Sequence, residues 1–209
     1  KRVSIMKKIK EEIDNYKYEH ELWNEGIDLV AGVDEVGRGP LIGPVVAAAV
    51  ILPHDFYLEG LTDSKKLSEK KRELFYQIIK EKAIAIGIGI IDEKRIDEIN
   101  IYEATKEAMK DAIRKLEPRP EYILIDAMPL DIGIPTKSII KGDFLSVTIS
   151  AASVIAKVTR DHMLYEMDKE YPMYDLKNNK GYGTKKHLEA IKQYGICKYH
   201  RLSYKPVYD

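Results

Sequence analysis

The 209-residue chain has a single cysteine, Cys197, so it can form no internal disulfide and offers no cysteine cluster for zinc or an iron–sulfur centre. A reducing, cytoplasmic setting is the expectation. Long apolar runs are also missing: the longest, Pro44 to Pro53, falls far short of the roughly 20 residues a membrane-spanning helix needs. The lysine-rich start of the chain leads into no apolar signal core, so secretion and membrane insertion are disfavoured. No GxxxxGK[ST] loop occurs, which argues against a Walker-type nucleotide site, and neither a repeat nor a low-complexity tract is present. Net charge is absent too, with 34 basic and 34 acidic residues.

Hydrophobic residues make up 44% of the chain and charged residues 33%, which supplies a real core and excludes a disordered polymer. The length allows one domain with a small appendage. Charge is unevenly placed. Residues 177–209 hold eight bases and two acids, an excess of six, so the other 176 residues carry a net −6. Tyr182, Tyr194, Tyr199, Tyr204 and Tyr208 interleave with those bases, a composition suited to phosphate contacts with aromatic stacking. The plainer reading is a solvated lysine face.

Residues 1–26 place Ile5, Ile9 and Ile13 at four-residue spacing, which predicts a partly amphipathic, peripheral N-terminal helix. From Ile27 an apolar strand runs into acids and glycines, and a second strand ends at Pro53, so the two can pair as a hairpin. Ser68 caps a helix bearing Leu74, Phe75, Ile78 and Ile79 on one face, and residues 83–91 read as a third strand. Asp92 caps further helix, whose stripe of Ala104, Ala108, Ala112 and Leu116 stops before Pro118 and Pro120. YILID, ending at Asp126, has the continuous apolar character of a strand buried on both faces, and Ser138 to Ile140 make a fifth extended piece. A long helix follows over 146–171, with Ser150, Ala151, Ala152 and Ser153 small enough for close packing, and Thr184 caps a last helix that exits at Gly195. This order describes an α/β domain with a five-stranded mixed sheet flanked by helices.

The chemistry is expected where strands end. Asp34 and Glu35 close the first strand, Asp126 closes the fourth, and Asp143 follows the fifth after a glycine. Sites in α/β sheets gather outside strand ends, so these acids can converge from distant stretches of sequence. Packed carboxylates repel unless neutralised, and oxygen-only ligation suits Mg²⁺ or Mn²⁺. Each acid alone reads as a turn former or helix cap. Asp161, in VTRD within the long helix, reads as a surface residue paired with a neighbouring base. Gly37-Arg38-Gly39 can bring main chain close to a ligand with a phosphate-forking arginine beside it, or be a plain turn. Asp63-Ser64-Lys65-Lys66 sits ahead of a helix, suited to a backbone phosphate or to an ordinary solvated loop.

DEVGRGPLIGPVVAAAV at 34–50 resembles ribonuclease HII, the type 2 ribonuclease H family. DSKKLS at 63–68, IDA at 125–127, KGD at 141–143, SAASVIAKVTRD at 150–161, GYGTKKH at 181–187 and HRLSYKP at 200–206 resemble its later motifs in order. The resemblance implies a ribonuclease H-like fold with a small helical C-terminal extension, and hydrolysis of RNA within RNA–DNA hybrids and at single ribonucleotides in duplex DNA. It implies that Asp34, Glu35, Asp126 and Asp143 are the catalytic, metal-binding acids of a two-metal Mg²⁺ or Mn²⁺ site leaving 5′-phosphate and 3′-hydroxyl ends. Gly37, Arg38 and Gly39 would hold the ribonucleotide's 2′-OH and adjoining phosphate, and Tyr182 would pack on the sugar at the DNA side. Ser64 and Lys65 would hold backbone phosphates, with the basic C-terminal region, Thr184 included, covering the duplex. Thr62 stands where an asparagine is expected, and the closing motif reads HRLSY, with Leu202 and Tyr204. The related ribonuclease HIII carries an extra N-terminal DNA-binding domain, for which 26 residues are too few.

The expected organisation is therefore an N-terminal helical extension (1–26), a catalytic domain (27–170) and a basic nucleic-acid-contacting region (171–209). The expected partners are hybrid and ribonucleotide-containing duplex, a monomer is the expected assembly, and a replication clamp is a candidate recruiter. Two other readings are open from the residues alone: another nuclease or ATPase of the same broad fold, and a non-catalytic hybrid-binding module.

Overall fold

The computed structural model describes residues 14–208, so the stripe expected at Ile5, Ile9 and Ile13 lies outside the described residues. Five strands form one mixed sheet in the order β3-β2-β1-β4-β5: β1 (Val30–Val36), β2 (Val45–Ile51), β3 (Ala85–Ile91), β4 (Tyr122–Asp126) and β5 (Thr136–Ile139). The expected hairpin is present: β1 pairs antiparallel with β2, with Asp34 opposite Ala48, and β2 pairs antiparallel with β3. On the other side β1 runs parallel to β4, and β4 parallel to β5.

Alternation along the strands gives the sheet two buried faces. Ala31, Val33, Ala47 and Ala49 point to one side, against Ala104, Ala108, Met109 and Ala112. That stripe belongs to α4 (Ile101–Arg114), which follows α1 (Lys17–Asn24), α2 (Glu69–Lys82) and α3 (Glu93–Ile99). Ala48 and Val50 point the other way, against Ala151, Ala152 and Ile155. Those side chains come from α6 (Val147–Glu170), entered through the short α5 (Gly142–Leu145). The approach of α6 is close: a Cβ on Gly32 would stand 2.1 Å from the Thr148 carbonyl carbon. Ser150, Ala151, Ala152 and Ser153 are all buried there, as their size predicts.

The expected caps form. Ser68 accepts from the Lys71 amide at 3.2 Å, Asp92 from Arg95 at 2.9 Å and Thr184 from His187 at 3.3 Å. Asn100, at φ +71°, separates α3 from α4 and accepts from the Glu103 amide at 3.0 Å. The N-terminal segment is not peripheral. Tyr18, Leu22 and Trp23 pack on Val30, Leu124, Ile139 and Ile149, and Glu19 is fully buried. One Glu19 oxygen accepts from the Thr148 amide at 3.0 Å and the Thr148 hydroxyl at 2.7 Å, placing a carboxyl group at the start of α6. Asp161 is paired as expected, with Lys157 at 2.8 Å, but it is buried in the interior of α6's packing, not on a helix surface.

Beyond α6 the chain makes α7 (Leu176–Asn179), α8 (Lys185–Tyr194) and α9 (Lys205–Tyr208). This region folds back on the connection between β1 and β2: Ile42 bridges to His200, and the Arg201 amide donates to the Leu41 carbonyl at 2.8 Å. Ile42, Leu164, Tyr174, Leu176 and Ala190 close a small core of their own. No described helix is long and apolar enough to cross a membrane.

Candidate active site

Strand geometry explains why the acids meet. Asp34 shares its sheet face with Gly32, which lies against α6, and Asp126 shares its face with Leu124, which packs on Ile149 of the same helix. Val33 is level with Ile125 in the parallel pair, so Asp34 and Asp126 emerge side by side at the strands' C-terminal ends. The β5–α5 turn brings in the third acid: Lys141 adopts φ +59°, and the Gly142 amide donates to Asp126 at 2.7 Å. One carboxylate oxygen from each of Asp34, Asp126 and Asp143 lies within 4.8 Å of the others.

Glu35 is outside that three-way group but adjoins it. Its amide donates to Asp34 Oδ1 at 2.8 Å, and its charge raises the Asp34 pKa. Asp34 is 5% exposed, and burial, then Glu35 and Asp126, push its pKa well above the ordinary aspartate range. Burial followed by Asp126 and Asp63 lifts Asp143 to about 6. Burial raises Asp126 and Glu35 as well, Glu35 against the opposing pull of Arg38. Lys65 is the counter-cation: burial lowers its pKa, but Asp63, Asp34 and Asp143 outweigh that and raise it. Three converging carboxylates, with oxygen donors alone, suit a hard divalent cation, whose charge would relieve the repulsion that raises these values.

Beside the acids, Gly37 is buried while Arg38 and Gly39 are exposed. Gly37 sits at φ +94°, and a Cβ there would stand 2.3 Å from Arg160 Nε. Gly39 faces the Tyr182 ring, whose edge carbon would be 3.1 Å from a Cβ on that glycine. Tyr182 is 46% exposed and Thr184 is exposed, so both are open to a ligand. Ser64 is buried; its hydroxyl accepts from Ser153 at 2.8 Å, leaving its own proton to give. Lys65 is exposed, with its amide held by Asp63 at 2.9 Å.

Two buried arginines, to which the sequence pattern alone assigns no role, hold this arrangement. Arg160 donates to the carbonyls of Pro44 at 2.9 Å, Ile42 at 2.9 Å and Lys180 at 2.7 Å. Arg201 donates to Gly37 at 2.6 Å, Arg38 at 3.1 Å and Gly43 at 2.9 Å. Arg201 is one of the eight bases of residues 177–209, but it is fully buried and serves the loop rather than the duplex-facing surface. Tyr204 is likewise turned inward, its hydroxyl donating to the Arg38 carbonyl. A sequence signal existed for Arg160, which falls four and seven residues after the buried Ala156 and Ser153, on the packed stripe of α6.

The ribonuclease HII family profile matches residues 31–207, which include every residue of this site. Ribonuclease HII of Bacillus cytotoxicus is 58% identical over 207 residues, covering 97% of this chain and 80% of that protein. The ribonuclease H2 of Pyrococcus horikoshii OT3 superposes with a TM-score of 0.73 at 27% identity, over 86% of this chain and 95% of that one. Ribonuclease HII of Archaeoglobus fulgidus, solved in complex with PCNA, gives 0.73 at 26% identity, over 85% and 95%. With the expected fold present and the match running nearly end to end, the chain belongs to the ribonuclease HII family, hydrolytic endonucleases that act on the RNA of RNA–DNA hybrids.

Proposed function

We propose that this chain cuts at single ribonucleotides embedded in duplex DNA as well as within longer hybrids, leaving 5′-phosphate and 3′-hydroxyl ends. The observation that carries the reading is the meeting of Asp34, Asp126 and Asp143 beside the Gly37-Arg38-Gly39 segment, whose Arg38 and Gly39 are exposed. Two Mg²⁺ or Mn²⁺ ions held there would supply Lewis-acid activation of water and charge neutralisation at the scissile phosphate. Asp34, Asp126 and Asp143, joined by Glu35, are the ligands. Lys65 offsets part of their charge and, with the free hydroxyl proton of Ser64, meets backbone phosphates.

Selectivity for ribose needs a group that touches the 2′-OH. The Gly37 and Arg38 carbonyls are occupied by Arg201, while the Arg38 and Gly39 amides donate to no acceptor among the described residues. Those amides face the 2′-OH and its neighbouring phosphate. Tyr182, against Gly39, packs on the sugar at the DNA side. Thr184 and the exposed lysines of residues 171–209 follow the duplex, residues 27–170 form the catalytic part, and residues 1–26 are an extension. Because an archaeal relative was solved with PCNA, a sliding clamp is the proposed recruiter.

The test is a labelled DNA duplex with one ribonucleotide, incubated with and without Mg²⁺, the cut mapped to the bond. Cleavage is expected only with metal and only at the ribonucleotide, and Asp34→Asn or Asp126→Asn should abolish it. Equal cutting of an all-DNA duplex, or wild-type rates in either variant, would refute the reading.

A further inference from the structure

His187 and His200 form a buried pair that the reaction does not use. Their exposures are 0% and 2%, and their Nε2 atoms are 3.0 Å apart. The proton positions follow from the neighbours. The Cys197 amide donates to His200 Nδ1 at 2.9 Å, so that nitrogen carries no hydrogen. A neutral ring then holds its proton on Nε2 and gives it to His187 Nε2. His187 must therefore carry its own proton on Nδ1, which lies 2.9 Å from the Tyr182 carbonyl. One direction of donation runs through the whole chain, from the Cys197 amide through two rings to the backbone of Tyr182. Burial keeps both rings neutral: it lowers the pKa of His187, and together with His187 brings His200 to about 4.

The end of this chain matters because of what lies opposite. Tyr182 stands against Gly39, and the carbonyls just before Gly39 are held by Arg201, the residue after His200. Two consecutive residues of the C-terminal segment thus reach the two sides of one contact, His200 through His187 to Tyr182 and Arg201 to the carbonyls before Gly39. The segment itself is anchored to the β1–β2 connection, the Gly43 amide donating to the Tyr199 carbonyl at 2.9 Å. The Tyr174 ring packs edge-on against His200 at 4.8 Å between centroids, and its hydroxyl donates to the Gly195 carbonyl at 2.6 Å. An apolar pair would fill the space equally well. Only a ring with a donor at one end and an acceptor at the other transmits a fixed orientation to the Tyr182 carbonyl.

We propose that the His187–His200 pair is a positioning device: it fixes the Tyr182 backbone, and so the placement of the Tyr182 ring against Gly39, where that ring packs on the sugar of the ribonucleotide junction. The proposal rests on the assignment of Tyr182 and residues 37–39 to sugar contact.

The two amide replacements of His187 separate this role from mere packing. In His187→Asn the side-chain amide stands in for Nδ1 and keeps the donor to Tyr182; in His187→Gln it stands in for Nε2 and keeps the link to His200 only. With the single-ribonucleotide duplex, His187→Gln should lower kcat/KM about fivefold to tenfold, the scale of one lost buried hydrogen bond, while His187→Asn recovers most of that loss. In a Tyr182→Ala background the difference between the two should vanish, since there is no ring left to position. Equal activities of the two in the wild-type background, or an unchanged difference in Tyr182→Ala, would overturn the proposal while leaving the sugar contact standing. If Tyr182→Ala alone cuts at the wild-type rate, the sugar-contact assignment fails and the positioning role falls with it.

Discussion

Replacing Arg160 with methionine removes a charged side chain that is 1% exposed and donates three hydrogen bonds, all to main-chain carbonyls. Methionine fills similar space, so the change reports the bonds more than the volume. Hydrogen bonds from a charged donor are worth about 1.5–3 kcal/mol each, and three come to roughly 4–9 kcal/mol. The three bonds share one guanidinium and do not add fully, so the expected net loss is about 3–5 kcal/mol, the scale of breaking a buried charged interaction. For a chain of this size that lowers Tm by roughly 6–20 °C. Urea unfolding followed by circular dichroism is the assay, with the midpoint falling and the slope against urea unchanged. The three carbonyls belong to Ile42, Pro44 and Lys180, so cleavage of the embedded-ribonucleotide duplex should weaken below the unfolding temperature too. An Arg160→Met protein within about 1 kcal/mol of wild type would refute the view that this guanidinium holds the loop together.

Three further outcomes follow from the packing and the charges. Gly32→Ala would drive a Cβ to 2.1 Å from the Thr148 carbonyl carbon, and should cost about 3 kcal/mol or more by the same unfolding assay. Glu19 has its pKa raised by burial above the ordinary 4.5, so its stabilising contribution is complete below that value and is lost as pH rises through the raised one. Glu19→Gln should therefore show a shallower fall of Tm than the wild type as pH rises above the ordinary glutamate range. The raised pKa of Asp143, about 6, has the same sign: metal-free protein loses stability as pH climbs through that range. Mn²⁺ should accordingly raise Tm more near pH 7.5 than near pH 5, where protons compete for the same oxygens.

Much of this was legible because it is local. The apolar run before Asp34, the continuous YILID strand and the caps at Ser68, Asp92 and Thr184 are short-range signals, and each appears where its residues place it. The approach of Asp34 to Asp126 follows from a parallel pairing that a strand–helix–strand order favours. What was not legible depends on partners remote in sequence. The inward turn of Arg201 is decided by carbonyls more than 150 residues earlier, and nothing in a basic, tyrosine-rich tail distinguishes it from its exposed neighbours. The burial of Asp161 and the docking of residues 14–26 were misread for the same reason. Glu19 looks like surface charge until Thr148 supplies its donors from 129 residues further along the sequence.

Central to the proposed reaction is that Asp34, Asp126 and Asp143 hold divalent cations that cutting needs. Calorimetric titration of Mn²⁺ into the wild type and Asp126→Asn, with cleavage of the single-ribonucleotide duplex measured on the same samples, tests this most directly. The wild type should bind Mn²⁺ and cut, and the variant should lose both together. Undiminished Mn²⁺ binding by Asp126→Asn, or cutting by the wild type in excess chelator, would contradict it.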